Sequence, residues 1–133
     1  MLMISCRSTT LRVLVVDDHE LTRLTLNLAF SAQENIHVVG LACNGQEAIE
    51  MVKSCQPDVI VLDLQMPVMD GWSASSQIKA ISPHTQILAY SSVEDANLGA
   101  KTTVNFDDVC QKDVPTTQLI ALVRQLGERA GNA

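Results

Sequence analysis

Four short apolar runs in this 133-residue chain each lead into residues able to do chemistry. Leu11 to Val16 ends at the adjacent carboxylates Asp17 and Asp18, Val59 to Leu62 at Asp63, Thr85 to Tyr90 at Ser91, and Val109 to Gln111 at Lys112. Neighbouring carboxylates repel unless a cation or a donor compensates. Three of them, with one lysine and one hydroxyl, leave an excess of negative charge. A hard divalent ion held by oxygen would relieve it, and Mg2+ suits a site of one or two carboxylates, a backbone carbonyl after Asp63 and retained water. Such a site fits phosphoryl transfer. The ion and Lys112 would neutralise oxygens of an incoming phosphoryl group, the Ser91 hydroxyl would hydrogen-bond another, and Asp63, which stands alone, would attack in line. Asp17 and Asp18 are better placed to hold the ion. Each residue also has a plain structural reading: Asp18 as the cap of the helix after it, Ser91 or Ser92 as the cap of the next, Lys112 as an ordinary surface lysine. Their joint arrival at successive strand ends carries the chemical reading.

The elements must bring these ends together. Val59, Ile60, Val61 and Leu62 suit a strand buried on both faces of a parallel sheet. Pro67 cannot donate to a ladder and Asp70-Gly71 signals a turn, so the chain leaves the sheet after Asp63 and loops over its carboxyl edge. Leu21, Leu24 and Leu28 fall at helical spacing and predict an amphipathic helix from Glu20 to about Phe30 to Gln33. Ile36 to Ala42 reads as a strand, Asn44-Gly45 as a turn, and Ala48, Ile49 and Val52 as the stripe of a helix reaching about Cys55. A short helix from Trp72 to about Ile81 is polar enough to lie on the surface, and Pro83 ends it. Glu94 to Lys101 predicts a weak helix, lowered by Gly99 and the β-branched Thr102, Thr103 and Val104. Pro115 pre-sets a last helix whose Leu119, Leu122, Val123 and Leu126 face the core, before a polar tail from Gly127. Five alternations of strand and helix imply an α/β three-layer sandwich around a mostly parallel sheet. In such a sheet the strand ends gather on one edge, where ligands bind.

Composition narrows the function classes. One domain fits the length, with tails at residues 1–10 and 128–133 around a folded unit at 11–127. With 47% hydrophobic but 3% aromatic residues, the core is aliphatic. A net charge of −6, with nine scattered Lys and Arg, argues against direct nucleic acid binding. Cys6, Cys43, Cys55 and Cys110 show no C-x-x-C spacing, so they read as free thiols of a cytoplasmic protein rather than a zinc or redox site. No stretch approaches the roughly 18 apolar residues of a membrane span.

The motifs resemble those of a known family. Val15-Val-Asp-Asp18 resembles the acidic pair of the receiver domains of two-component response regulators. Asp63 to Gly71 (Asp-Leu-Gln-Met-Pro-Val-Met-Asp-Gly) resembles their phosphorylation-site loop, Ser91 their hydroxyl position and Lys112-Asp113 their lysine motif. The resemblance spans roughly residues 10 to 127, and Asp17 to Arg23 is most similar to the receivers that often precede a helix-turn-helix output domain. It implies a flavodoxin-like sheet of strand order 2-1-3-4-5 flanked by five helices. It also implies Mg2+-dependent phosphorylation of Asp63 by a histidine kinase or phosphotransfer protein, and a switch on the face of the fourth helix, fifth strand and last helix. Asp18 and Asp63 would bind the ion directly and Gln65 through its carbonyl, with Asp17 assisting. The expected protein is not itself an enzyme. It is a monomer or a phosphorylation-dependent homodimer that signals to an output partner or to an output domain C-terminal to it. A phosphatase or mutase would want a second carboxylate two residues after the nucleophile, where Gln65 stands. Val109 occupies the position three before the lysine, where the family usually has an aromatic residue that reports phosphorylation. That favours an alternative reading as an interaction module whose output does not depend on phosphate.

Overall fold

A computed structural model describes residues 10–92 and 105–131. Five strands, β1 (Leu11–Val16), β2 (Ile36–Ala42), β3 (Val59–Asp63), β4 (Gln86–Ser91) and β5 (Asp108–Gln111), form one sheet in the order β2-β1-β3-β4-β5. Every pairing is parallel. Helices α1 (Glu20–Ser31), α2 (Gly45–Cys55), α3 (Gly71–Ile81) and α4 (Thr116–Gly131) connect or follow the strands. Four helices are therefore counted among the described residues where five were expected; the remaining one, Glu94 to Lys101, lies outside them.

The side-chain period of two divides the core. Val13, Val15, Val59, Val61 and Leu88 point to one face and pack with Leu26 and Phe30 of α1 and Leu119, Val123 and Leu126 of α4. Leu14, Val16, Ile60, Leu62 and Ile87 point to the other and meet Ala48, Ile49 and Val52 of α2 and Ala74 and Ile78 of α3. Both faces of β1 and β3 are covered, which is why these strands read as unbroken apolar runs.

The helices correct three expectations. Leu21, Leu24 and Leu28 do not face the core: they are 76%, 48% and 72% exposed, and Leu26 and Phe30 are buried instead. The α3 helix lies on the surface with Ser73, Ser76 and Gln77 exposed, but not all its polar residues face solvent: Ser75 is buried beside Ala74 and Ile78. Its polar position is affordable because Ser75 Oγ donates to the Trp72 carbonyl at 2.8 Å. Finally, α4 continues to Gly131, past the Gly127 at which the polar tail was expected to begin. There the glycine permits close packing, because a Cβ at Gly127 would lie 2.3 Å from Leu11 Cδ1.

Helix starts follow the turn chemistry. Asn44 caps α2 by accepting from the Glu47 N–H at 2.9 Å, and Glu47 Oε1 accepts from the Cys43 N–H at 2.9 Å. Asp70 caps α3 through the Ser73 N–H. The α1 helix has no side-chain cap: His19 is its N-cap residue, and Asp18 does not take the capping role that its position allowed.

Candidate functional site

The strand register places the chemistry-bearing residues at the strand ends: Asp63 and Ser91 are the last residues of β3 and β4, and Asp17 and Lys112 follow directly on β1 and β5. Val16 pairs with Leu62, Asp63 with Tyr90, and Ser91 with Gln111, so Asp17, Asp63, Ser91 and Lys112 share the carboxyl edge of three central strands and β5. The Lys112 N–H donates to the Ser91 carbonyl at 2.7 Å, fastening the last loop to β4. After Asp63 the backbone turns away, and Gly71 returns to cover the strand end, its N–H donating to the Leu64 carbonyl at 2.9 Å. A Cβ on Gly71 would sit 2.4 Å from the Asp63 carbonyl oxygen, so the close approach requires glycine. Within this loop Val68, exposed and β-branched, adopts φ 68°, a strained conformation of the kind held at functional sites.

Asp17 and Asp63 are buried and face one cation. Lys112 Nζ lies 2.9 Å from Asp17 Oδ2 and 3.2 Å from Asp63 Oδ1. It also sits 5.6 Å from the centre of the Tyr90 ring, within cation–π range. The Gln65 N–H approaches Asp63 Oδ1 at 3.4 Å. Asp17 is fully engaged: its Oδ1 accepts from the His19 N–H at 2.9 Å and meets His19 Nδ1 at 3.1 Å, while Arg23 Nη1 donates to its carbonyl at 2.7 Å. By contrast, Asp63 Oδ2 and Asp18 Oδ1 have no hydrogen-bond partner.

The electrostatics follow from this crowding. Burial, then the neighbouring Asp17 charge, pushes the Asp63 carboxyl up to about 6, against the opposing pull of Lys112. The same carboxylates hold the Lys112 ammonium above its ordinary range although burial acts the other way. A cation fits this arrangement on two counts. Two carboxylate oxygens lack hydrogen-bond partners, and single oxygens or nitrogens of Asp17, Asp18, His19 and Asp63 all lie within 4.8 Å of one another. The carboxylate oxygens among these are hard donors that suit Mg2+.

All the residues expected at the site lie at this edge. Ser91 is buried at the end of β4, and Gln65 enters through its backbone. Sequence reasoning gave no role to His19, Arg23 or Tyr90. The spacing of His19 and Arg23 from the acidic pair, within the first turn and a half of α1, was the available signal. Among the described residues Cys43, Cys55 and Cys110 are free thiols, and no helix is long and apolar enough to cross a membrane.

Known proteins share both the sequence and the fold. A protein-glutamate methylesterase/protein-glutamine glutaminase 2 of Photobacterium profundum is 45% identical over 96 residues, covering 72% of this chain but 24% of that protein. The response regulator protein VraR of Staphylococcus aureus is 35% identical over 117 residues, 87% of this chain and 56% of that protein. The chain thus spans a quarter to about half of these relatives. The response regulator domain of Thermotoga maritima CheB superposes with a TM-score of 0.78 at 30% identity, covering 90% of this chain and 97% of that one. A DNA-binding response regulator of the LuxR family from Staphylococcus aureus shares the fold, with a TM-score of 0.79 at 18% identity over 88% of this chain and 98% of that one. Residues 13–124 match the family described as response regulator receiver domain. With an acidic pocket at the carboxyl edge of a 2-1-3-4-5 parallel sheet, the chain belongs to the response regulator receiver domains.

Proposed function

We propose that residues 11–127 act as a phosphoacceptor, taking a phosphoryl group on Asp63 from a histidine kinase or phosphotransfer protein. The observation that carries the reading is Asp63 itself: a buried carboxylate at a strand end, with Oδ1 beside Lys112 and Oδ2 without a partner. Asp18 and Asp63, with the Gln65 carbonyl, would hold Mg2+, and Asp17 would support them. Bound there, the ion supplies positive charge for the phosphoryl oxygens. Asp63 forms the O–P bond in line as the donor's P–N bond breaks, and the donor imidazole takes up the proton it then needs. Lys112 Nζ, already balanced between two carboxylates, moves toward the new negative charge, and the Ser91 hydroxyl donates to another phosphoryl oxygen.

Signalling would follow from altered binding of a partner or of an output domain in a longer regulator, by a monomer or by a homodimer formed on phosphorylation. The methylesterase and glutaminase activities named for the Photobacterium protein belong to a protein of which this chain matches 24%. The test is incubation with acetyl phosphate and Mg2+, read by intact mass. We expect one phosphoryl group on the wild type and none on Asp63→Asn; equal masses would refute the assignment.

A second reading rests on Val109, which is 38% exposed on β5 where the family usually has an aromatic residue. It makes the domain a phosphate-independent interaction module. Equal partner affinity for wild type and Asp63→Asn would support it, and a clear difference would exclude it.

A further inference from the structure

The acidic pocket contains a nitrogen donor that oxygen chemistry leaves unexplained. His19 Nδ1 lies 3.1 Å from Asp17 Oδ1 and 3.1 Å from Asp18 Oδ1. That nitrogen carries at most one proton, and its hydrogen bond is with Asp17 Oδ1. Asp18 Oδ1 is accordingly left without a hydrogen bond, as is Oδ2 of Asp63, a residue only 3% exposed. Packing does not explain the ring's position, because the His19 side chain is 67% exposed. Helix capping does not explain it either, since His19 makes no side-chain cap to α1. Its backbone is nevertheless fixed, with the N–H bound to Asp17 Oδ1 at 2.9 Å.

The spacing suits a shared ion. Adjacent ligands of an octahedral cation with bonds of about 2.1 Å are about 3.0 Å apart, close to the His19 to Asp18 separation. We infer that His19 Nδ1 is a direct metal ligand beside Asp18 and Asp63, and that the pocket therefore binds first-row transition ions more tightly than Mg2+. Imidazole nitrogen favours such ions along the series from Mn2+ toward Cu2+, whereas carboxylate, carbonyl and water suit Mg2+. Mg2+ can satisfy its needs from Asp18, Asp63, the Gln65 carbonyl and water, and gains little from the ring. The inference rests on the reading of this edge as a metal pocket and adds the class of ion it prefers.

Co2+ serves as the probe, because it takes mixed nitrogen and oxygen ligands and its visible absorption and paramagnetic shifts report them. The full chain is titrated calorimetrically with CoCl2 and separately with MgCl2, as wild type, His19→Asn and Asp63→Asn. We expect the wild type to bind Co2+ at least about tenfold more tightly than Mg2+, with a shifted His19 imidazole proton resonance. His19→Asn should lose about tenfold or more for Co2+ and less than about twofold for Mg2+. Asp63→Asn should weaken both ions. Unchanged Co2+ affinity in His19→Asn would overturn the inference while leaving the Mg2+ pocket standing. Co2+ binding indifferent to Asp63→Asn would overturn it as well, by placing the ion elsewhere, for example on His37 or His84. Failure of the wild type to bind Mg2+ at all would instead refute the pocket reading on which the inference depends.

Discussion

Asp58 and Asp63 bracket the same strand and meet opposite fates. At the amino edge Asp58 Oδ2 accepts from the Arg12 N–H at 2.9 Å, its own N–H donates to the Arg12 carbonyl, and its carbonyl accepts from Gln86. Its surroundings are equally settled. Buried Thr85 donates from Oγ1 to the Pro57 carbonyl at 2.9 Å, and Lys79 Nζ reaches both the Thr85 carbonyl and Asp107. At the carboxyl edge Asp63 shares one lysine with Asp17 and keeps an oxygen without a partner. Buried polar groups that serve only the fold are paired. An orphaned carboxylate oxygen costs stability and persists where a ligand is to come.

The sharpest break between the two ends is chemical. Asp63→Asn should abolish phosphoryl incorporation from acetyl phosphate, and Asp58→Asn should leave it intact, both read by mass. Incorporation in Asp63→Asn, or its loss in Asp58→Asn, would erase the contrast.

The next effect is on stability. Lys112→Met leaves Asp17 and Asp63 facing each other without their shared cation, and should cost about 3 kcal/mol in urea unfolding at pH 7.5. Lys79→Met, at the paired amino edge, should cost about 1 kcal/mol, since its ammonium is partly exposed and Asp107 keeps the Ile87 N–H. Equal costs would show that the carboxyl edge is not under special charge strain.

Asp63→Asn should also stabilise the metal-free protein, by about 1–2 kcal/mol at pH 7.5. The sign follows from the raised Asp63 carboxyl, near 6 in the fold against an ordinary value of 3.8. Between these values the folded chain binds more protons than the unfolded one, so wild-type stability falls as pH rises through the window. The advantage of the amide is therefore full above about 6 and vanishes below about 4, which unfolding curves across that range would trace. Thr85→Val removes a satisfied buried hydroxyl at the other edge and should cost about 1 kcal/mol without this pH dependence. The smallest effect is expected at Val68, where Val68→Gly relieves the positive φ and should add a few tenths of a kcal/mol net of the entropy lost to glycine.

Much of this was legible from the chain alone. The runs before Asp17 and Asp63 read as strands covered on both sides, and the turn residues Asn44 and Asp70 marked helix starts that both prove to be capped. The faces of the helices were less legible. In α1 the set Leu21, Leu24, Leu28 and the pair Leu26, Phe30 satisfy helical spacing equally well, and only the line along which the helix lies on the sheet selects the second. In α3 the serines suggested solvent, yet Ser75 is buried with its hydroxyl spent on the helix's own backbone. Gly127 read as an end to α4, and became instead the point where that helix touches Leu11.

By itself the sequence determined which residues stand at the carboxyl edge, because strand alternation and the breaks at Pro67, Gly71 and Pro115 arise from covalent geometry acting over a few residues. Only the tertiary structure decided which oxygen receives which partner. Lys112 reaches Asp17 across 95 residues of chain, and a shift of an ångström or so would decide whether it serves one carboxylate or two. Hydrogen bonds and ion pairs depend on such distances, and those exist only once the layers have closed.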